Sequence, residues 1–232
     1  MSDPPQDDPQ EDLGDLDALI RRVDPDRWIS SRFIADAGLR ADVIALYAFD
    51  HELARAPKVS SNPLIGEIRL TWWRETLDEI FEGRPVRRHP TAEALAVAVA
   101  RRGLARAPLE TLIDARYRDL DTTALDEAEA LAWAGDTGGQ AAEIAAGMLD
   151  PATQAGAARM AGAAWALGRR AGEGPAQRAA FAAARAAGRR EARRLSAAAF
   201  PAVAHAVLAG RPSGTEAARR LRVTLAVALG RI

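Results

Sequence analysis

Apolar side chains recur along most of this chain at the three- and four-residue spacing of helices, and nowhere with the sustained alternation of strands. Leu13, Leu16, Leu19, Ile20 and Val23 form the first such run, which Asp24-Pro25 stops. Further helical patterns cover residues 26–36, 39–56, 63–82, 91–102, 108–121, 126–146, 152–171, 175–199, 201–210 and 213–230. They are separated at Pro57, Pro63, Gly83-Arg84-Pro85, Pro90, Pro108, Pro151, the segment 172–175, Pro201 and Arg211-Pro212, where a first helical turn tolerates proline. Gly135-Asp136-Thr137-Gly138-Gly139 interrupts one pattern and predicts a kink or break there. Residues 1–12 are polar, acidic and proline-bearing, and read as a disordered tail ahead of one helical domain over residues 13–232. The expectation is an all-α, single-domain bundle of about nine to eleven helices.

Composition sharpens this picture. Alanine makes up roughly a quarter of the 232 residues, which favours closely approaching helices. Cysteine is absent, excluding disulfides, thiolate zinc sites and cysteine nucleophiles. His51, His89 and His205 are too scattered to build a histidine-rich metal site. No run approaches the ~18 apolar residues of a membrane span, and the acidic N-terminus is unlike a secretion signal. A cytoplasmic protein is expected. Net charge is −1 overall but unevenly spread: −7 over residues 1–26 and +11 over residues 151–232. The basic third suits an anionic membrane surface or the acidic parts of its own fold. It lacks the recognition motifs and interleaved aromatics of a nucleic-acid binder, so no nucleic acid is expected.

Several polar residues fall where apolar ones belong. On a helical wheel Ile65, Trp72, Trp73, Thr76 and Ile80 share one face of the 63–82 pattern, and Arg69 falls in its middle. A cation there must find a carboxylate or bind an anion. The 39–56 helix is apolar almost all round and should be central. Asp50 lies on its Val43–Tyr47–Ala54 side, making Asp50 the expected partner of Arg69, with Tyr47 nearby. In the 108–121 pattern Arg116 points into the Leu109–Leu112–Ile113 face with Asp119 bordering it, whereas Asp114 and Asp121 face solvent. Arg185, Arg189 and Arg193 form a stripe that reads as a solvated face. His51-Glu52 is not a metalloprotease helix, because Arg55 stands where the second histidine belongs. The 135–139 glycines lack the strand and lysine of a phosphate loop, and no nucleophilic triad is visible.

Residues 45–49 (Ala-Leu-Tyr-Ala-Phe), the run from Gly66 to Phe81 with its Trp72-Trp73 pair, Arg88-His89-Pro90, Leu112-Ile113-Asp114 through Asp119-Leu120, and Phe200-Pro201-Ala202-Val203 resemble the squalene/phytoene synthase family. The resemblance implies the all-α isoprenoid-synthase fold around a central cavity. Active members join two prenyl diphosphates head to head, with two aspartate-rich helical motifs holding Mg²⁺ on the diphosphate.

This chain departs from that pattern at both motifs. The positions of the first Asp-Asp-x-x-Asp read Ala54, Arg55 and Lys58. The second, expected after the Gly162–Ala164 pattern, is replaced by Ala-Leu-Gly-Arg-Arg-Ala-Gly-Glu-Gly over residues 166–174. No metal set and no cofactor are therefore expected. The chain is similar to the degenerate branch that contains a mitochondrial respiratory complex I assembly factor, which implies a protein acting by binding, with a respiratory-complex subunit or membrane surface as partner and attachment at the inner membrane. A living transferase is the alternative. In it, Arg55, Lys58, Arg69, Arg169 and Arg170 would hold diphosphate and Asp119 would coordinate Mg²⁺. A cavity that holds an isoprenoid or other lipid without converting it is the third reading. The candidate cavity residues are Tyr47, Asp50, Arg55, Lys58, Arg69, Trp73, Arg116 and Asp119.

Overall fold

Side-chain caps set where most of the helices begin. Asp15 accepts from the backbone N–H groups of Asp17 (3.0 Å) and Ala18 (3.2 Å) ahead of α1, Leu16–Val23. Asp24 caps α2, Pro25–Ser31, with Pro25 in the first turn. Asp36 accepts from Leu39 N–H (2.6 Å) ahead of α3, Ala37–Arg55. Asn62 caps α4, Pro63–Phe81, while α5 spans Pro90–Arg102 and α6 Arg106–Tyr117. Asp126 and Glu129 form a reciprocal capping box on α7, Glu127–Ala134. The remaining helices are α8, Gln140–Leu149; α9, Arg159–Arg169; α10, Gly174–Glu191; and α11, Glu216–Leu229, capped by Thr215. The computed structural model describes residues 15–60, 62–170, 174–211 and 214–232, so the expected tail over 1–12 lies outside the described residues. The described residues contain no strand, and the architecture is all-α.

Helix α3 is the central element. Its residues from Asp42 to Asp50 are all buried, and it packs against α1, α2, α5, α6 and α8. An amphipathic helix needs one apolar stripe, whereas a helix enclosed by five others needs apolar residues all round. Alanines line most of the α8 and α9 contact, with Ala141, Ala142, Ala145, Ala161, Ala163 and Ala164 all buried.

The 135–139 glycines do not break the chain. They form one buried π-helical turn joining α7 to α8, a feature that costs regular hydrogen bonding and persists where packing requires it. Gly138 and Gly162 supply that packing. A Cβ at Gly162 would sit 2.2 Å from the Gly138 carbonyl oxygen, so only two glycines let these backbones touch.

Three expectations from the pattern need correction. The 152–171 helix starts only at Arg159, because Pro151 and Gly156 (φ +82°) hold a turn there and Glu143 accepts the Gly156 N–H at 2.6 Å. Residues 201–210 are two 3₁₀ turns rather than an α-helix, anchored where the buried Ser30 hydroxyl donates to the Pro201 carbonyl at 2.6 Å. In α4 the buried line is Leu70, Trp73 and Leu77, not the Ile65–Arg69–Trp72 face. Arg69 is exposed, as are Leu64, Ile65 and Ile68. Apolar residues surround the first half of this helix, and its neighbours, α6 and the 3₁₀ turns Ala56–Lys58 and Arg118–Leu120, decide which of them are covered.

Candidate functional site

A cavity of about 410 Å³ opens between the ends of α1, α2, α3, α6, α7 and α9. At its floor lies Asp50, 4 % exposed and carried by α3. Its Oδ2 accepts from Arg27 Nη1 at 2.5 Å and its Oδ1 from Arg116 Nη2 at 2.9 Å. Arg27 comes from α2 and Arg116 from α6, so one carboxylate ties three helices together. Asp24 lies 3.8 Å from Arg27 and 3.4 Å from Arg169. Asp119 accepts from Arg116 and from Arg170, both at 3.3 Å.

The expected Arg69–Asp50 pair is thus overturned: both oxygens of Asp50 are engaged by other arginines, and Arg69 points outward. Tyr47 does lie beside Asp50's network, with its ring 4.9 Å from the Arg27 guanidinium. The inward Arg116–Asp119 pair is present, and Asp114 and Asp121 are exposed, the former paired to Arg74.

Two tryptophans complete the walls. Trp165 on α9 is flanked by Arg27 (4.1 Å) and Arg169 (4.9 Å). Trp133 on α7 is flanked by Arg170 (4.4 Å) and Arg116 (5.8 Å). Each indole therefore spreads one buried and one rim arginine over its faces, an arrangement that stabilises cations by the ring quadrupole. The Thr137 hydroxyl donates to the Trp133 carbonyl at 2.8 Å, tying the π turn to this wall.

Electrostatics follow from the burial. Burial alone would raise the Asp50 pKa, but Arg27 and Arg116 outweigh it and hold the carboxyl well below the usual carboxylate range. Burial dominates at Asp24 and pushes its pKa up despite Arg27 and Arg169. It likewise raises the Tyr47 phenol. Five cations, Arg27, Lys58, Arg116, Arg169 and Arg170, face three carboxylates across the cavity. Behind its walls five buried N–H donors have no hydrogen-bond acceptor: Arg27 Nε and Nη2, Arg116 Nε, and the indole N–H of Trp133 and Trp165. A cavity of this kind suits an acceptor-rich anionic ligand.

The structure thus brings Asp50, Lys58, Arg116 and Asp119 together around the cavity, with Tyr47 beneath Arg27 and with Arg169 and Arg170 at the rim. Arg55 is directed away, half exposed on Glu52 at 3.1 Å. Arg69 and Trp73 belong to a different groove of about 270 Å³ with Trp72 and His89, where the Trp72, Trp73 and His89 rings pack edge to face at 4.9–5.6 Å. Sequence reasoning missed Asp24, Arg27, Trp133 and Trp165. The available signal was the position of two of only five tryptophans, Trp133 just before the glycine segment and Trp165 just before Arg169-Arg170.

His205 sits behind Trp165, 1 % exposed, with neither ring nitrogen bonded. Its ring packs on Trp165 (5.2 Å) and Tyr47 (6.4 Å). Burial, then Arg27 and Arg169, hold its pKa well below 6.5. The unfolded chain therefore binds a proton that the folded one refuses, and the stability present above pH 6.5 is lost as pH falls. Between pH 7.5 and 5.5 this single group is expected to remove on the order of 1 kcal/mol. Urea unfolding of wild type and His205→Leu at both pH values checks it, and equal pH sensitivity of the two proteins would refute it.

The fold and site define an all-helical cavity protein whose polar centre is a guanidinium–carboxylate network. Residues 20–171 match the squalene/phytoene synthase family, and the chain belongs to that family. It is similar to the NADH dehydrogenase (ubiquinone) complex I, assembly factor 6 of Bos taurus, 34 % identical over 106 residues that cover 46 % of this chain and 31 % of the relative. The same protein of Homo sapiens is 33 % identical and that of Rattus norvegicus 32 %, over the same shares. The matched stretch spans less than a third of these curated relatives.

The Mg²⁺ used by active family members does not fit the donors present. Asp24, Asp50 and Asp119 each face guanidinium groups rather than one another. Among the described residues no three His, Asp or Glu side chains gather as a metal-binding group. Ala54 and Lys58, which stand at two of the first motif's ligand positions, both line the cavity without offering a carboxylate oxygen.

Proposed function

We propose that this chain is a catalytically degenerate member of its family that acts by binding, as an assembly factor for a respiratory complex. The observation that carries the reading is that Ala54 and Lys58 line the cavity at two of the family's ligand positions, while the nearby Asp50 carboxylate is held by Arg27 and Arg116. The names of the matched relatives support the choice of partner, a respiratory complex I subunit or assembly intermediate. No described helix is long and apolar enough to cross a membrane, and the reading calls for a cytoplasmic protein working at the periphery of the inner membrane.

Two measurements test it. Folded protein incubated with farnesyl and geranylgeranyl diphosphates is expected to release no diphosphate, with or without Mg²⁺. Crosslinking in cells is expected to join the chain to NADH dehydrogenase subunits. Metal-dependent release with a coupled hydrocarbon product would replace the reading by a head-to-head prenyl transferase.

The excess of cations over carboxylates in the cavity lining favours a second role, retention of a phosphate-bearing isoprenoid or lipid without turnover. Fluorescence of Trp133 and Trp165 titrated with farnesyl diphosphate is expected to quench saturably. Lys58→Gln, at the rim, is expected to weaken that binding about tenfold, the size of one charge-assisted hydrogen bond. Absence of saturable quenching would remove this role.

A further inference from the structure

The outer side of α11 reverses the usual arrangement of a surface helix, in which polar residues face water. Leu221, Leu225 and Leu229 follow one another at four-residue spacing and are 60 %, 50 % and 65 % exposed. The helix is held to the body on its other side by Val223 and Ala226, both buried. Beside the leucines runs a groove of about 300 Å³ whose charged lining consists of Arg185 and Arg189 from α10 with Arg211, Arg222 and Arg231. Among the described residues no acidic side chain lines it. Two described acids on and beside α11 are already engaged, Glu216 by Arg220 and Asp26 by Arg219. Burial, then the adjacent Arg189 and Arg211, depress the Arg185 pKa.

We propose that the α10–α11 face is a peripheral docking surface for an anionic phospholipid bilayer, with Arg185, Arg189, Arg222 and Arg231 on headgroup phosphates and Leu221, Leu225 and Leu229 at the headgroup–acyl boundary. Leu225 and Leu229 line the same groove as the arginines, so one approaching surface meets both. Charge complementarity selects an anionic occupant, and an exposed leucine row flanked by cations is what an interfacial helix presents. Among the described residues no aromatic side chain lines the groove to stack a nucleobase, which sets lipid ahead of RNA. This surface rests on the membrane-peripheral part of the proposed function, while flotation and crosslinking to a complex subunit can each fail alone.

The test is flotation of the full chain with vesicles. Strong binding is expected to phosphatidylcholine vesicles carrying about 30 % phosphatidylglycerol, at least about tenfold above pure phosphatidylcholine, and to fall with added salt. Arg185→Gln/Arg189→Gln/Arg222→Gln and, separately, Leu221→Ser/Leu225→Ser/Leu229→Ser are each expected to reduce flotation about tenfold or more, with unchanged helicity and unfolding midpoint. Failure of the wild type to float at low salt would overturn the proposal, as would equal flotation with neutral vesicles or either folded variant floating like wild type. Loss of flotation in excess inorganic phosphate at constant ionic strength would assign the groove to free phosphate instead. Retention on poly(U) or an acidic polypeptide without flotation would assign it to another polyanion.

Discussion

Asp50→Ala is expected to destabilise the protein by about 4 kcal/mol, read as a lower urea midpoint at unchanged m value. The substitution removes little packing volume but strands two guanidinium groups. Arg27 is 2 % and Arg116 7 % exposed, and breaking a buried pair by deleting one partner leaves uncompensated charge. Asp50→Asn keeps the shape and is expected to lose nearly as much, because the amide supplies one acceptor where two charge-assisted bonds stood. A double-mutant cycle locates the interaction: Asp50 and Arg27 should couple strongly, while Asp50 and Arg69 should add within about 0.5 kcal/mol. Loss of less than about 1 kcal/mol in Asp50→Ala would show that the network holds nothing together. The sign of the acid response is also set. Asp50's pKa is depressed, so its stabilisation is complete above the ordinary carboxylate pKa near 3.8 and disappears as pH falls below it.

Gly162→Ala is expected to cost about 3 kcal/mol, although alanine is the better helix former. Its Cβ would meet the Gly138 carbonyl oxygen at 2.2 Å, the Ala142 Cβ at 2.6 Å and the Gly138 carbonyl carbon at 2.8 Å. None of these is the end of a flexible side chain, so α9 or the π turn must move. Gly147→Ala is the control. Nothing lies within 4 Å of that Cβ, and the change is expected to stabilise α8 by about 0.5–1 kcal/mol. Thermal unfolding of both variants checks the contrast. Because Trp165 rides on α9 and Trp133 sits on α7 directly ahead of the π turn, tryptophan emission of Gly162→Ala should shift to the red. An unchanged midpoint and spectrum would mean that the helices can part without consequence.

Much of the candidate site was legible one residue at a time. Arg116 and Asp119 announced themselves as charges three apart bordering an apolar helical face, and Asp50 as an acid on a helix that is apolar almost all round. Their partners were not legible in the same way. Arg27 sits in a seven-residue helix too short to show a periodic face, so nothing local marks it as buried. Arg69 fails for the opposite reason. Apolar residues surround it on α4, and a wheel drawn for one helix cannot say that the neighbouring elements cover Leu70, Trp73 and Leu77 while leaving Ile65 and Ile68 in water. The glycine segment announced an irregularity without its form. A π turn, a kink and a break share the same local composition, and only the approach of Gly162 selects the first.

The sequence by itself determined that the chain is helical, that α3 is central, that the family's ligand positions hold Ala54, Arg55 and Lys58, and that the last third is basic. Each of these depends on residue type and near-neighbour spacing, which helix geometry converts directly into faces. The tertiary structure alone decided that Asp50 pairs with Arg27 and Arg116, that Trp133 and Trp165 wall the cavity, that Lys58 reaches it while Arg55 does not, and that the basic groove adjoins Leu225 and Leu229. Those facts join residues on different helices, and a pairing between helices depends on which backbones can approach, here through glycine and alanine contacts whose partners lie far apart in the chain.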